Sequence, residues 1–256
     1  MVMIVIALVC LPFTVTRLLF VGLLSVCCCW EMCINFDRQL GIKVAAWVVY
    51  LFIVVQVVLA LTKCGTMAYY AWFTFAVCLA MFSGIVNKDV SGHGTIYTLA
   101  ALAYPGVPAS MSILICASAR APQALALAAI PALTSDTFAL FGGKLFGKHK
   151  LAPSVSPNKT VEGSISGCAG GLIAGVIVWL VSKRVSALPL VPCLVTSLLA
   201  SIASQIGDLA ESLLKRYIGV KDFSNLIPGH GGALDRMDSC LFAIPAAYFC
   251  LYMFGL

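Results

Sequence analysis

"LVPCLVTSLLASIASQIGDLAESLLKRY", residues 190–217, decides what kind of protein this is. Most of it is an apolar run, 190–211, long enough as a helix to cross a hydrocarbon core, which takes about 20 residues. Its end is different: Asp208, Glu211, Ser212 and Lys215 stand at i, i+3, i+4 and i+7, a single helix face. A membrane-crossing helix that runs out into one polar stripe brings charged groups to the membrane surface. Glu211 and Lys215 also have the i,i+4 spacing of an ordinary ion pair on a solvated last turn. Asp208 follows the apolar run directly, and an ionisable group at that depth is costly enough to point to function.

The rest of the chain fits the same frame. Of its 256 residues 61% are hydrophobic and 10% charged, and the mean hydropathy is +1.03, far outside the range of a water-soluble globule. Further apolar runs cover 42–62, 67–86, 95–117, 121–141, 163–182 and 239–256, and 1–34 reads as two short spans split near Arg17. The expected fold is an all-α polytopic integral membrane protein of about nine transmembrane helices with no soluble domain. It is read as one membrane domain over 1–256: N-terminal helices in 1–120, and a chemistry-bearing part in 121–256 with loops at 142–162 and 212–238. The start lacks the basic flank and small-residue cleavage site of a secretory signal and is read as mature sequence.

The net charge of +6 is spread too thinly for a nucleic-acid surface. It orients the chain instead. Lys144, Lys148, Lys150 and Lys159 lie in one loop, and Lys215, Arg216, Lys221 and Arg236 in the other, with two spans between them. The positive-inside tendency therefore makes both loops cytoplasmic, although Lys183 and Arg184 fall on the opposite side. The twelve cysteines, mostly within apolar spans, have no metal or disulfide spacing and read as small buried hydrophobes.

Two more polar clusters flank the opening stretch. In "IPGHGGALDRMD", residues 227–238, Pro228, Gly229, Gly231 and Gly232 forbid regular helix and permit the close backbone approach of a phosphate-cradling loop, as they also permit a plain turn. Asp235, Asp238 and Ser239 then fall at i, i+3 and i+4 of the next helix, where Asp235 has the position of a capping carboxylate as well. Upstream, Asp136 interrupts an apolar span, and the loop after it offers Lys144, Lys148, Lys159 and Thr160 among glycines and prolines. Lysines without matching acids suit a polyanion, or lipid headgroups at the surface. Carboxylates that hold a divalent cation, beside ammonium groups that stabilise charge on a leaving group, are the combination of phosphoryl chemistry. Neither a phosphate-binding P-loop motif nor the protein-kinase motif set is present.

The run "SLLKRYIGVKDFSNLIPGHGGALDRMDS" resembles the signature of the phosphatidate cytidylyltransferases, or CDP-diglyceride synthetases. Ser212, Lys215, Arg216, Lys221, Asp222, Pro228, His230, Gly231, Gly232, Asp235, Arg236 and Asp238 all stand where that pattern places them. "SQIGDLAES" and "SPNKTVEG" are similar to further blocks of the family and "SDTFALFGGKLFGKHK" to a looser one, so the resemblance covers about residues 130–240. Ala210, Tyr217, Val161 and Leu140 depart from the Phe, Asp, Trp and Tyr of typical bacterial members; none of them removes a metal or phosphate ligand.

The resemblance implies that CTP and phosphatidic acid form CDP-diacylglycerol and pyrophosphate at the inner membrane, with Mg2+ required and K+ as a second ion, in a homodimer. It implies metal roles for Asp136, Asp208, Asp235 and Asp238, with Asp208 and Asp235 sharing one site. Lys215, Asp222 and His230 become the catalytic candidates, His230 fitting phosphate binding equally. Lys144, Lys148, Ser156, Lys159, Thr160, Ser212, Arg216, Lys221, Gly231, Gly232 and Arg236 become the substrate-binding candidates. The phosphatidate phosphate is already an anion, so in-line attack on the α-phosphorus needs no strong general base. Two other readings remain: a CTP-dependent lipid kinase that would move the γ-phosphate, and a secondary transporter built on the intramembrane Asp136.

Overall fold

Inside a membrane, apolar sequence must satisfy every backbone N–H and C=O within itself, and helices do this. The computed structural model describes residues 13–118, 121–183, 188–226 and 231–255, and it is helical almost throughout. Its elements are α1 (Thr14–Leu40), α2 (Ala46–Leu61), α3 (Thr66–Val86), and α4 (Gly92–Ala101), which passes through a π-turn at Leu102–Gly106 into α5 (Val107–Ala117). There follow α6 (Ala121–Phe146), the antiparallel strands β1 (Lys150–Ala152) and β2 (Ser156–Thr160), α7 (Val161–Ser182), α8 (Leu190–Ile218) and α9 (Leu234–Met253).

Six helical stretches are long and apolar enough to cross a membrane, with α2 shorter at 16 residues. Counting α4 and α5 as one rod, eight rods stand among the described residues, against the nine or so expected. Much of the first expected span falls on residues 1–12, outside the described residues. The expected split near Arg17 is corrected: α1 runs unbroken through it. The charge is accommodated because Nε and Nη2 of Arg17 both donate to the carbonyl of Cys116, at 3.1 and 2.7 Å, at the negative end of α5. α6 and α8 also run beyond their apolar segments, to Phe146 and Ile218. A polar stripe is as helical as an apolar one, and hydropathy marks only where the apolar part stops.

The chain forms two compact units. The first comprises Met1–Ala119 and Tyr217–Met237, the second Arg120–Arg216 and Asp238–Leu256.

In the first unit α1 packs on α2 and α5 around Leu18, Met32, Phe52, Ile53 and Ile113, all buried. Gly22 admits the side chain of Val57, whose Cγ2 lies 2.6 Å from where a Cβ would stand. α1 stops at Gly41, whose φ of 66° is the left-handed cap conformation that glycine adopts without cost. Ser91 caps α4 by accepting from Gly94 N at 3.2 Å, and Thr98 Oγ1 accepts from Ala45 N at 2.9 Å.

In the second unit α6, α7 and α8 pack through small residues. Gly163, Gly167, Gly171 and Gly175 recur every fourth position of α7. At about 100° per residue such a stripe drifts by roughly 40° per step, and it turns from one neighbour to the next. A Cβ on Gly167 would stand 3.0 Å from the Ser135 carbonyl of α6, whereas one on Gly171 or Gly175 would stand 2.5 Å or 2.9 Å from Ser201 Cβ or Ser197 Cβ of α8. Close backbone approach of this kind is how helices associate where lipid removes the hydrophobic driving force. Ala132, Ala200 and Ala243 join α6, α8 and α9 in a buried cluster with Cys240 against it. Of the cysteines among the described residues, Cys28, Cys29, Cys33, Cys116, Cys193 and Cys250 are buried as expected, while Cys64 and Cys78 are exposed.

Candidate active site

The polar stripe at the end of α8 meets charged groups from three other elements of the second unit. Lys159, in β2, forms an ion pair with Asp208. Lys215 pairs with Glu211 at 2.8 Å, the i,i+4 pair that the spacing allowed, with the Glu211 side chain 1% exposed. Asp136 of α6 lies within electrostatic reach of Asp208, Asp238 and Lys159, and Ser239 Oγ donates to Asp136 Oδ2 at 3.4 Å. Asp238 of α9 lies in turn beside Asp208, Glu211 and Lys215. Gly207 allows this approach, since a Cβ there would stand 2.7 Å from the Asp238 carbonyl. Four carboxyl groups thus gather against two ammonium groups. The chemistry of the set fits a hard cation: its donors are oxygens, and it carries more acid than base. Among the described residues no three or more His, Cys, Asp or Glu side chains form a ready-made metal shell.

The hairpin that delivers Lys159 is fixed at its base. Thr160 closes β2 and caps α7, its Oγ1 accepting from Gly163 N at 3.1 Å. The Glu162 carboxylate accepts from Lys148 N at 3.0 Å and His149 N at 3.2 Å, and pairs with His149 Nδ1 at 2.6 Å. Beneath the carboxylates, Gln205 bonds to Ser164 and donates to Ser135 Oγ at 3.0 Å. This polar seam ties α6, α7 and α8 together.

The signature loop belongs to the first unit. Asp235 Oδ2 accepts from Gly232 N at 2.8 Å and Phe223 N at 2.9 Å, so the carboxylate reaches back over the turn as a capping group. Gly231 has a φ of +80°, which favours glycine, and a Cβ there would stand 3.3 Å from Asp235 Oδ2 and 3.7 Å from Asp222 Oδ1. Asp222, Gly231 and Asp235 are therefore neighbours. Glu31 of α1 lies under this turn, fully buried. Its Oε1 accepts from Ala233 N at 2.8 Å and from the Ser224 hydroxyl at 2.6 Å, and its Oε2 accepts from Leu234 N at 2.7 Å. Asn35, one turn along α1, donates to the Phe223 carbonyl at 2.7 Å. A Cβ on Gly232 would stand 2.6 Å from Glu31 Oε2, so glycine there makes room for the carboxylate.

The structure therefore brings Asp136, Lys159, Asp208, Lys215 and Asp238 together in one unit, and Asp222, Gly231, Gly232 and Asp235 in the other. Lys144, Lys148, Arg216, Lys221 and Arg236 are exposed, and Ser156 and Ser212 half-buried. His230 lies outside the described residues. Sequence reasoning missed Glu31, Asn35, Gln205 and the His149–Glu162 pair. For Glu31 a signal existed, an acid within the apolar run "CCCWEMCINF".

Comparison with known proteins follows the same lines. A model of the cytidylyltransferase family matches residues 1–254. Similar proteins include the phosphatidate cytidylyltransferases of Bacillus subtilis, 45% identical over 122 residues (48% of this chain, 45% of that one), and of Pseudomonas aeruginosa, 51% identical over 121 residues (47% and 44%). That of Staphylococcus aureus is 46% identical over 114 residues (43% and 42%). In each case the chain spans less than half the length of the relative it matches. The family match reaches well beyond the signature run, back through α1 to α5, and the chain belongs to the cytidylyltransferase family.

Proposed function

We propose that the protein is a phosphatidate cytidylyltransferase, joining CTP and phosphatidic acid into CDP-diacylglycerol with release of pyrophosphate. An oxygen of the lipid phosphate bonds to the α-phosphorus of CTP as the bond to the β-phosphate bridging oxygen breaks, and the pyrophosphate leaves with that electron pair. The observation that carries this reading is the gathering of Asp136, Asp208 and Asp238 with Lys159 and Lys215 in a cytidylyltransferase chain. Lys159 and Lys215 stabilise the charge that grows on the leaving group, with Asp222 and His230 as the further catalytic groups. Lys144, Lys148, Arg216, Lys221 and Arg236 attract the anionic substrates, and Ser156, Thr160, Ser212, Gly231 and Gly232 orient them. Mg2+ is assigned to Asp136, Asp208 and Asp238, with Asp235 as a further metal carboxylate and K+ as the second ion. A divalent cation held by these carboxylates would supply Lewis-acid polarisation of the α-phosphate and charge neutralisation for the departing pyrophosphate.

In this reading the protein is a homodimer in the inner membrane, its reaction on the cytoplasmic side. The hairpin β1–β2 and the loop after α8 are separated by two long apolar helices, and so share a side. Purified protein in detergent, given phosphatidic acid, α-labelled CTP and Mg2+, is expected to yield a labelled lipid on thin-layer chromatography, and EDTA to stop it. Labelled CDP with no cytidine-containing lipid would mark a lipid kinase, and no new lipid at all a transporter.

A further inference from the structure

The residue before α9, Ala233, has no side-chain oxygen to offer the first amides of the helix. The cap comes from α1. Glu31, 202 and 203 positions before its amide partners, takes both Ala233 N and Leu234 N on one carboxylate. The preceding amide, Gly232 N, is committed to Asp235. Three consecutive amides are thus shared between two carboxylates, and the position of one fixes the position of the other. Charge-assisted bonds at a helix N-terminus are the stronger kind, and a buried carboxylate with three donors has little freedom to move.

We propose that Glu31 is a positioning residue for the reaction assigned above: it holds the 231–235 turn so that the Asp235 carboxylate is kept in a fixed register, while itself touching neither substrate. This rests on the proposed cytidylyl transfer only for its kinetic arm.

Glu31→Gln keeps the shape but replaces one accepting oxygen by a donor that faces an N–H. Turnover is expected to fall about a hundredfold, the cost of a misplacement of about 1 Å at a reacting group, with KM for CTP changed by less than about threefold. Glu31→Asp, which keeps the charge, is expected to restore turnover to within about tenfold of the parent. Hydrogen–deuterium exchange supplies a readout independent of the reaction: peptides covering 231–236 lose protection in Glu31→Gln, and peptides from α2 and α3 do not. Gly232→Ala, which puts a methyl group where the carboxylate lies, is expected to reproduce the loss of protection at 231–236 with Glu31 intact. It serves as the deciding variant if Glu31→Gln does not accumulate. Parent-like turnover in Glu31→Gln, or lost turnover with unchanged exchange at 231–236, overturns the proposal. A parent protein that forms no cytidine lipid defeats the functional reading alone, and the exchange measurements still decide whether Glu31 holds the turn.

Discussion

Lys159 on β2 and Asp208 on α8 form an ion pair, joining a lysine expected to bind substrate with an aspartate expected, from the family resemblance, to bind metal. Their side chains are 26% and 32% exposed, so the pair is half-buried and keeps partial access to solvent. In the proposed cytidylyl transfer the pair serves as a charge arrangement for the substrate, a role separable by experiment from that of a clamp on the fold. Lys159→Met is expected to lower kcat/KM for CTP about a hundredfold while the melting temperature in detergent stays within a few degrees of the parent. Lys159→Arg should retain most of the activity. A large drop in melting temperature with kcat/KM unchanged would make the pair a structural one.

Asp208→Asn keeps the side-chain shape and removes one of the gathered negative charges. A thousandfold fall in turnover, on the order of 4 kcal/mol of transition-state stabilisation, is expected with normal insertion and expression. Turnover within about threefold of the parent at saturating Mg2+ would take Asp208 out of the metal-binding set.

Asp235 separates two roles more cleanly. Its Oδ2 accepts from Gly232 N and Phe223 N, and the carbonyl of Asn can accept the same two bonds, as Asn caps helices about as well as Asp. Asp235→Asn is accordingly expected to melt like the parent yet lose about a thousandfold in turnover. If its turnover is nearly that of the parent, capping is the whole role of this residue.

Single cysteines at Lys150 and Asn225 test the membrane orientation. Both are expected to resist a membrane-impermeant maleimide in intact cells and to react once the membrane is opened. The native Cys64 and Cys78, exposed in the structure, must be replaced first. Labelling of one site and not the other would break the hairpin formed by α7 and α8.

The glycine stripe of α7 predicts a stability effect without a site effect. Gly171→Ala places a Cβ 2.5 Å from Ser201 Cβ, and overpacking of this order costs about 1–3 kcal/mol. At Gly65 nothing lies within 4 Å of an added Cβ, so Gly65→Ala should melt like the parent. Equal melting curves for the two variants would mean that α7 and α8 are not so closely packed.

Most of the helices were legible in hydropathy because a bilayer demands long apolar runs: the run at 67–86 became Thr66–Val86 and that at 42–62 became Ala46–Leu61. Their ends were not, since Lys144 and the Glu211–Lys215 pair continue α6 and α8 as helix after the apolar signal has stopped. Arg17 looked like an interruption because its partner, the Cys116 carbonyl, is 99 positions away and no local pattern announces it. Asp136, Asp208 and Asp238 could be singled out in the sequence because each is an acid within or at the edge of an apolar run, and the fold brings them together. Glu31 is such an acid too, but it acts on backbone amides some 200 positions later, a relationship carried by the fold alone.

The order in which the chain is made gives Glu31 a second consequence. α1 is synthesised before α9, and the Ala233 and Leu234 amides that receive its carboxylate come 202 and 203 positions later. Throughout translation the nascent first unit therefore carries an acid in an apolar helix whose protein partners do not yet exist, and such a group is costly in a bilayer until it is satisfied. Completion of α1 must wait for the ribosome to deliver the beginning of α9. A chain truncated before that point would keep the Glu31 carboxylate and lack both of the backbone amides that hold it in the finished fold.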